Sequence, residues 1–437
     1  MKLNYKRTFL VGFAFLSISA FWQMYDTIIP LILRDTYHMG DGAAGIIMSL
    51  DNIVALFLLP LFGALSDKVG RRIPFIVAGT FTAVVLMMLI PTLDNTYGVW
   101  APSTSMIVFI VVLGVLLVTM GTYRSPAVAL MPDVTPKPVR SKGNAIINLM
   151  GAVGGAFTLI VIKLLVFDGA NGRSNYFYLF LAVAVLMVLA ALTVFFFVPE
   201  RKLVQQMKDI NYGVSEEEDQ SKSVDVGGKQ KLPPEVMRSL ILILATITLW
   251  FLGYNAVTTA FSKYATKMWG SGLNLASTCL LVATGFAILS YLPIGFLASR
   301  IGRKKTIVIG LAVALACFIY GAIGARTFSP MLYVMFAAIG FAQAAVTVNT
   351  FPMVWEISRF GNVGKYTGFY YTCSMAAQVV TPIVSGYLLQ YVGYDTLFPY
   401  AAVFIALAII PISLTKYGDS RPGKPQSKLE ALQGADD

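Results

Sequence analysis

GALSDKVGRRIP, residues 63–74, returns in altered form as GFLASRIGRKKT, residues 295–306. Gly63/Gly295, Leu65/Leu297, Gly70/Gly302 and Arg71/Arg303 coincide at an offset of 232 residues, and basic residues coincide at Lys68/Arg300 and Arg72/Lys304. Each copy lies in the hairpin between two long apolar runs. A membrane protein built from two related halves is the reading this duplication supports.

Composition agrees. Apolar residues make up 57% of the 437 positions, charged residues 13%, and mean hydropathy is +0.72, whereas an ordinary soluble chain is about 25% charged. Crossing about 30 Å of hydrocarbon takes about 20 apolar residues per helix. Twelve runs qualify: 8–33, 43–65, 74–92, 105–130, 143–166 and 175–198, then 237–262, 274–297, 306–324, 330–353, 366–390 and 396–415. With twelve spans, both tails and every second hairpin share one side. That side collects 26 of the 33 Lys and Arg residues, against five on the other: Arg34, Arg173, Lys263, Lys267 and Arg326. Basic residues favour the cytoplasmic side, so both termini are expected there, in a multi-pass plasma (inner) membrane protein. The net charge of +11 is dispersed over short hairpins, so topology accounts for it and no nucleic-acid partner is implied. The opening MKLNYKR followed by an apolar run resembles a secretory signal, but the run extends to about Leu33 and carries Trp22, Gln23 and Asp26. It reads as a working first helix.

The polar segment between Pro199 and Arg238, with EEED at Glu216–Asp219, divides the chain. The expected organisation is an N-terminal six-helix bundle (1–198), a cytoplasmic linker with at most a short amphipathic helix (199–236), a C-terminal six-helix bundle (237–415) and a polar tail (416–437). Cys279, Cys317 and Cys373 all fall within spans of one half. They suggest packing rather than a disulfide framework or a metal site. No cofactor is expected. A weaker echo supports the duplication: Asp133 precedes Lys142 by nine residues after the fourth span, as Glu356 precedes Lys365 after the tenth.

These residues resemble a family. GALSDKVGRR is similar to the signature of the major facilitator superfamily, and twelve spans with a central loop match that architecture over nearly the whole chain. The resemblance implies an all-α membrane protein of two pseudo-symmetric six-helix bundles that alternates access around a central site. Tyr123–Gly155, together with Arg71, Arg72, Pro74 and Phe75, is similar to glycoside-pentoside-hexuronide carriers and sucrose-type proton symporters. Three departures limit the transfer. Val128 stands where sucrose-type carriers place an Arg, Leu59 and Ala55 stand where melibiose-type carriers place paired Asp residues, and Ser299 replaces Asp67 in the second signature. Sodium coupling through that Asp pair is therefore not carried over. For the hairpins, the resemblance implies a gate at Asp67 and Arg71. The gating set comprises Gly63, Asp67, Gly70, Arg71, Arg72, Asp133 and Arg140 in the first half, and Gly295, Arg300, Gly302, Arg303 and Glu356 in the second. The alternative is that the Arg cluster only fixes topology.

Ionisable groups at bilayer depth cost several kcal/mol unless paired or facing a cavity, so they point to function. Asp26 and Asp51 are the acids well inside the spans, each roughly 10–12 Å from the outer surface at about 1.5 Å per residue. Both are candidates for proton coupling, because a coupled carrier needs a group whose protonation changes between water and a drier site. His38, the only histidine, lies in a hairpin. Asp51 has the alternative of being satisfied by Asn52. Arg124 either holds a substrate oxygen through its planar donors or belongs to the cytoplasmic interface with Asp133 and Glu356. Lys163 is close enough to a helix end to snorkel.

Sugars are bound by aromatic faces and by amides and hydroxyls that satisfy ring hydroxyls. Trp250, Tyr254 and Asn255, with Thr258 a turn on, form one polar-aromatic stripe in span 7. Trp22, Tyr25 and Gln23 in span 1, Asn148 in span 5, Gln343 and Asn349 in span 10, and Tyr370, Tyr371 and Gln378 in span 11 are the other substrate candidates, against the alternative of plain helix packing. The expected function is import of a neutral glycoside, of maltose or sucrose type, with a proton, by a monomer. A drug or organic-anion transporter is the other carrier reading. An enzyme is not expected, because no nucleophile–base pair lies at depth, and the chain contains no GxxxxGK[ST] loop.

Overall fold

The computed structural model describes residues 4–135, 140–166, 174–207, 233–270, 272–358 and 363–419. Twelve helices among them are long and apolar enough to cross a membrane. They are α1 (Tyr5–Asp35), α2 (Asp41–Val69), α3 (Ile73–Asn95), α4 (Pro102–Asp133), α5 (Arg140–Leu165), α6 (Phe177–Phe197), α7 (Pro234–Trp269), α8 (Gly272–Ile301), α9 (Arg303–Gly324), α10 (Met331–Ser358), α11 (Val363–Tyr391) and α12 (Leu397–Leu414). Helix starts follow local chemistry. The Asn4 side chain accepts a hydrogen bond from Arg7 N at 3.1 Å, and prolines open α4 and α7, where a missing N–H costs nothing. Several helices outrun their apolar stretches: α7 continues to Trp269, α2 to Val69 and α8 to Ile301. Hydropathy marks the part of a helix that matches lipid, while the backbone ladder continues through Lys263, Lys68 and Arg300 into the interface.

With twelve crossings the start of α1 and the end of α12 lie at one face of the bundle, here the terminus face; the opposite one is the far face. The helix pairings repeat between the halves. Helix α1 packs on α5 and α6, α3 on α4 and α6, and α2 on α4; correspondingly α7 packs on α11 and α12, α9 on α10 and α12, and α8 on α10. The contacts between halves obey the same two-fold rule, with α2 against α11 mirrored by α8 against α5, and α1 against α7. The cysteines pack as the apolar context suggests: Cys279 and Cys317 are buried and Cys373 is half-buried.

The duplicated hairpins show why their residues recur. Gly70 and Gly302 have φ of +69° and +96°, so each turn needs a residue without a Cβ. Arg72 sits at the N-terminus of α3 with its side chain buried, donating to Ser66 Oγ and, at 2.9 Å, to Asp133 Oδ2 of α4. Glu200, on a short helix at 200–207, caps α3 by accepting from Arg72 N and, at 3.1 Å, from Ile73 N. In the second half Asp419 does the same for α9, accepting from Lys304 N at 2.8 Å. An acid placed just after the last helix of each half thus neutralises the N-terminal dipole of that half's third helix. This echo is invisible at the 232-residue offset. Removing the cap in Glu200→Ala is expected to cost about 1–2 kcal/mol, read as a lower unfolding midpoint of the purified protein.

Of the expected gating residues, Gly63 and Gly295 lie within α2 and α8, Arg71 is half-buried in the turn, Arg300 is exposed and Arg303 opens α9. The side chains of Asp67, Arg140 and Glu356 lie outside the described residues, as do 208–232, including Glu216–Asp219.

Candidate functional site

A cavity of about 520 Å³ lies between the halves, walled by α1, α4 and α5 on one side and α7, α8 and α10 on the other. Such a volume falls in the range of about 300–1,000 Å³ typical of small-molecule pockets. Helix α1 contributes Trp22, Gln23 and Asp26, one turn apart at Trp22 and Asp26, so both face the same space. Arg124 enters from α4 and Asn148 from α5; the other half supplies Tyr254, Thr258 and Gln343.

Local contacts hold these side chains in place. Arg124 lies over the Trp22 indole with Cζ 5.4 Å from the ring centroid, a cation–π arrangement. Tyr25 meets the same indole edge-on at 5.4 Å. Across the cavity the Tyr254 hydroxyl donates to Gln343 Oε1 at 2.6 Å, and Trp250 stacks on Tyr254 at 5.1 Å with 12° between planes. Trp22 Nε1 is buried with no hydrogen-bond partner among the described residues. Asp26, Asp51 and Arg124 lie within electrostatic reach of one another.

The structure thus brings together Trp22, Gln23, Asp26, Arg124, Asn148, Tyr254 and Gln343. The rest of the expected substrate and coupling set does not line this cavity. Tyr25 is buried behind Trp22, and Asp51 accepts from Asn52 Nδ2 at 2.9 Å. Trp250 forms a second layer beneath Tyr254. Asn349 is buried and donates to Ala345 O at 2.8 Å within its own helix. Asn255 lies beside the lining on α7, Gln378 is half-buried on α11, and Tyr371 is 43% exposed. Arg124 is separated by two helical turns from the Arg72–Asp133 pair, so it belongs to the cavity rather than to the interface cluster. Among the polar lining residues, Ser19 of α1 and Thr284 and Tyr291 of α8 are not candidates on sequence alone; the last two lie on the same helix. Their spacing of seven puts them on one face of that helix, and this was the available signal.

Residues 11–292 and 243–435 each match the family model described as Major Facilitator Superfamily. The chain belongs to the major facilitator superfamily. It is accordingly a multi-pass membrane transporter. Among its relatives in this superfamily, multidrug resistance protein MdtG of Proteus mirabilis (strain HI4320) is 24% identical over 410 residues, covering 92% of each chain. Alpha-ketoglutarate permease of Escherichia coli (strain K12) is 28% identical over 152 residues, 35% of this chain and 33% of the permease. The crystal structure of a mutant of nucleoside transporter NupG superposes with a TM-score of 0.66 at 14% identity, covering 94% of this chain and 99% of that one. That likeness concerns the fold alone.

Proposed function

We propose that this transporter imports a neutral glycoside, of maltose or sucrose type, together with a proton, by alternating access about the central cavity. It does so as a monomer in the plasma (inner) membrane with both termini cytoplasmic, the orientation favoured by the distribution of Lys and Arg. One observation carries the substrate reading: Asp26 and Arg124 share a cavity whose remaining polar lining consists of amides and hydroxyls. Within the lining itself one carboxylate faces one guanidinium, which favours a neutral substrate over an ionic one. Asn148, Tyr254, Thr258 and Gln343 offer the mixed donors and acceptors that a polyhydroxyl ligand needs. Asp26 is the acid in the lining, and its proton exchange would couple transport to the gradient; Asp51, behind it, shares the same field.

A second reading has its own support. Protonation of Asp26 would leave Arg124 able to hold an anion, and the relatives include proteins named as a multidrug resistance protein and an alpha-ketoglutarate permease. Uptake of radiolabelled disaccharide into proteoliposomes, with and without an imposed proton gradient, tests both. Gradient-stimulated accumulation of sugar is expected. Uptake of organic anions with neither entry nor competition by neutral sugars would remove the glycoside reading.

Separating the Tyr254–Gln343 pair by Gln343→Ala is expected to raise the half-saturation concentration by about five- to tenfold, corresponding to about 1 kcal/mol for one lost ligand hydrogen bond. Maximal rate should change little. Initial uptake rates over a range of sugar concentrations check this.

A further inference from the structure

Helix α5 comes close to α1 by giving up side chains. A Cβ on Gly154 would lie 2.1 Å from Leu16 O, so the two backbones touch there, and Thr158 Oγ1 donates to Ala20 O at 2.9 Å, which fixes the register. On the cavity side of this seam stand Gly151 and Gly155, one turn apart on α5, and Ser19 and Gln23, one turn apart on α1. A Cβ at Gly151 would sit 2.8 Å from Ser19 Oγ, and one at Gly155 would sit 3.6 Å from Gln23 Oε1. The wall is therefore notched: two polar groups of α1 face a stretch of α5 that has no side chain to cover them. The Gln23 amide has one orientation in this notch. The Thr27 hydroxyl has a single proton, spent on Gln23 O at 2.7 Å, so toward the Gln23 side chain, 3.2 Å away, it acts as an acceptor. The end of Gln23 that meets Thr27 is thus Nε2, and Oε1 is the end turned to Gly155. Among the described residues Oε1 accepts no hydrogen bond and Ser19 Oγ makes none.

We infer that Gln23 is a specificity-determining residue of the central cavity: its Oε1 accepts a hydrogen bond from a substrate hydroxyl seated in the notch, and the missing side chain at Gly155 is what admits that hydroxyl. This role rests on the glycoside reading and deepens it, because it states which chemistry the α1–α5 wall selects. An amide oxygen only accepts, so it binds a ligand through an O–H or N–H and opposes a carboxylate, which has no proton to give. Ser19 Oγ, one turn away at about 5.4 Å along the axis, can donate or accept. Together they suit a ring that carries several hydroxyls. A position built to receive a hydroxyl proton discriminates against an analogue that lacks it, since the acceptor is then left unpaired in a desolvated wall. The close Gly154 approach holds α1 and α5 together, so the notch keeps its shape when the ligand leaves.

Uptake of radiolabelled maltose or sucrose into proteoliposomes, competed by analogues of the same sugar with single hydroxyls replaced by fluorine, tests this one hydroxyl at a time. Fluorine keeps a small electronegative atom in place but removes the donated proton. In the parent protein, replacement at one ring position is expected to weaken competition by about tenfold. Gln23→Met, similar in length but without the acceptor, is expected to weaken binding of the unmodified sugar by about tenfold. It should also become indifferent, within about twofold, to fluorine at that position, the non-additivity that marks a direct contact. Gly155→Ala has room against the wall, so its unfolding midpoint should match the parent's, while its methyl group beside Oε1 raises the half-saturation concentration by about fivefold. If the parent takes up sugar and Gln23→Met stays within twofold of it for every analogue, the inference is overturned and the glycoside reading stands. Weaker sugar binding by Gln23→Met with the parent's full fluorine penalty would also overturn it, since Gln23 would then act only through packing. A parent that takes up organic anions and is not inhibited by neutral sugars would remove both.

Discussion

Asp26→Asn is expected to abolish gradient-driven accumulation while leaving counterflow of substrate across the membrane. Asn matches Asp in size and keeps a hydrogen-bonding end, so α1 and its contacts with Trp22 and Arg124 should persist. It cannot take up and release a proton, and among the described residues no other carboxylate lines the cavity. At a membrane potential of about 100 mV one co-transported charge is worth about 2.3 kcal/mol, or roughly a fifty-fold concentration ratio. The variant should bring that ratio to about one. Exchange of external label for preloaded substrate requires no net proton movement and should continue. Proteoliposomes assayed both ways provide the measurement; a variant that still accumulates substrate would remove Asp26 from the coupling role and leave Asp51 as the remaining intramembrane acid.

Arg124→Ala should be nearly as damaging, through a different route. The guanidinium covers the Trp22 ring and lies within electrostatic reach of Asp26 and Asp51. Removing it leaves two neighbouring carboxylates without their cation and opens a void against the indole. A partly exposed cluster of this kind is screened, so the loss is set at about 2–3 kcal/mol rather than the larger figure for a fully dry pair. That corresponds to roughly a hundredfold fall in transport at limiting substrate, accompanied by a lower unfolding midpoint. Arg124→Lys restores charge but not the flat face on Trp22, so it should recover only part of the loss. Measured together, Asp26→Asn and Arg124→Ala are expected to be non-additive, since the two groups share one field.

What could be read directly were the features with a repeating cause. A span of lipid imposes a run of about 20 apolar residues, so twelve crossings are legible. Turns that need positive φ keep their glycines, so Gly70 and Gly302 stand out. Intramembrane charge is expensive, so Asp26 and Arg124 stand out in the sequence. Other features had no such mark. The acid caps Glu200 and Asp419 are separated from the helices they serve by more than a hundred residues, and nothing in their local sequence names a partner. The contacts of Lys263 and Arg34 were hidden for the same reason: by charge bias they are basic residues on the minority side, whereas in the structure they reach from one half to the other.

Amino-acid sequence alone determined the membrane class, the twelve helices, the duplicated architecture and the short roster of charges inside the bilayer. Those are properties of single segments, set by hydrophobic length, charge and backbone geometry. Tertiary structure decided which of the polar residues meet. Trp22, Asp26, Arg124 and Gln343 come from three helices in two halves, and their helical phase determines that they face one cavity while Trp250 and Asn349 do not. Helix rotation about its own axis leaves hydropathy almost unchanged, so only packing against neighbours resolves it.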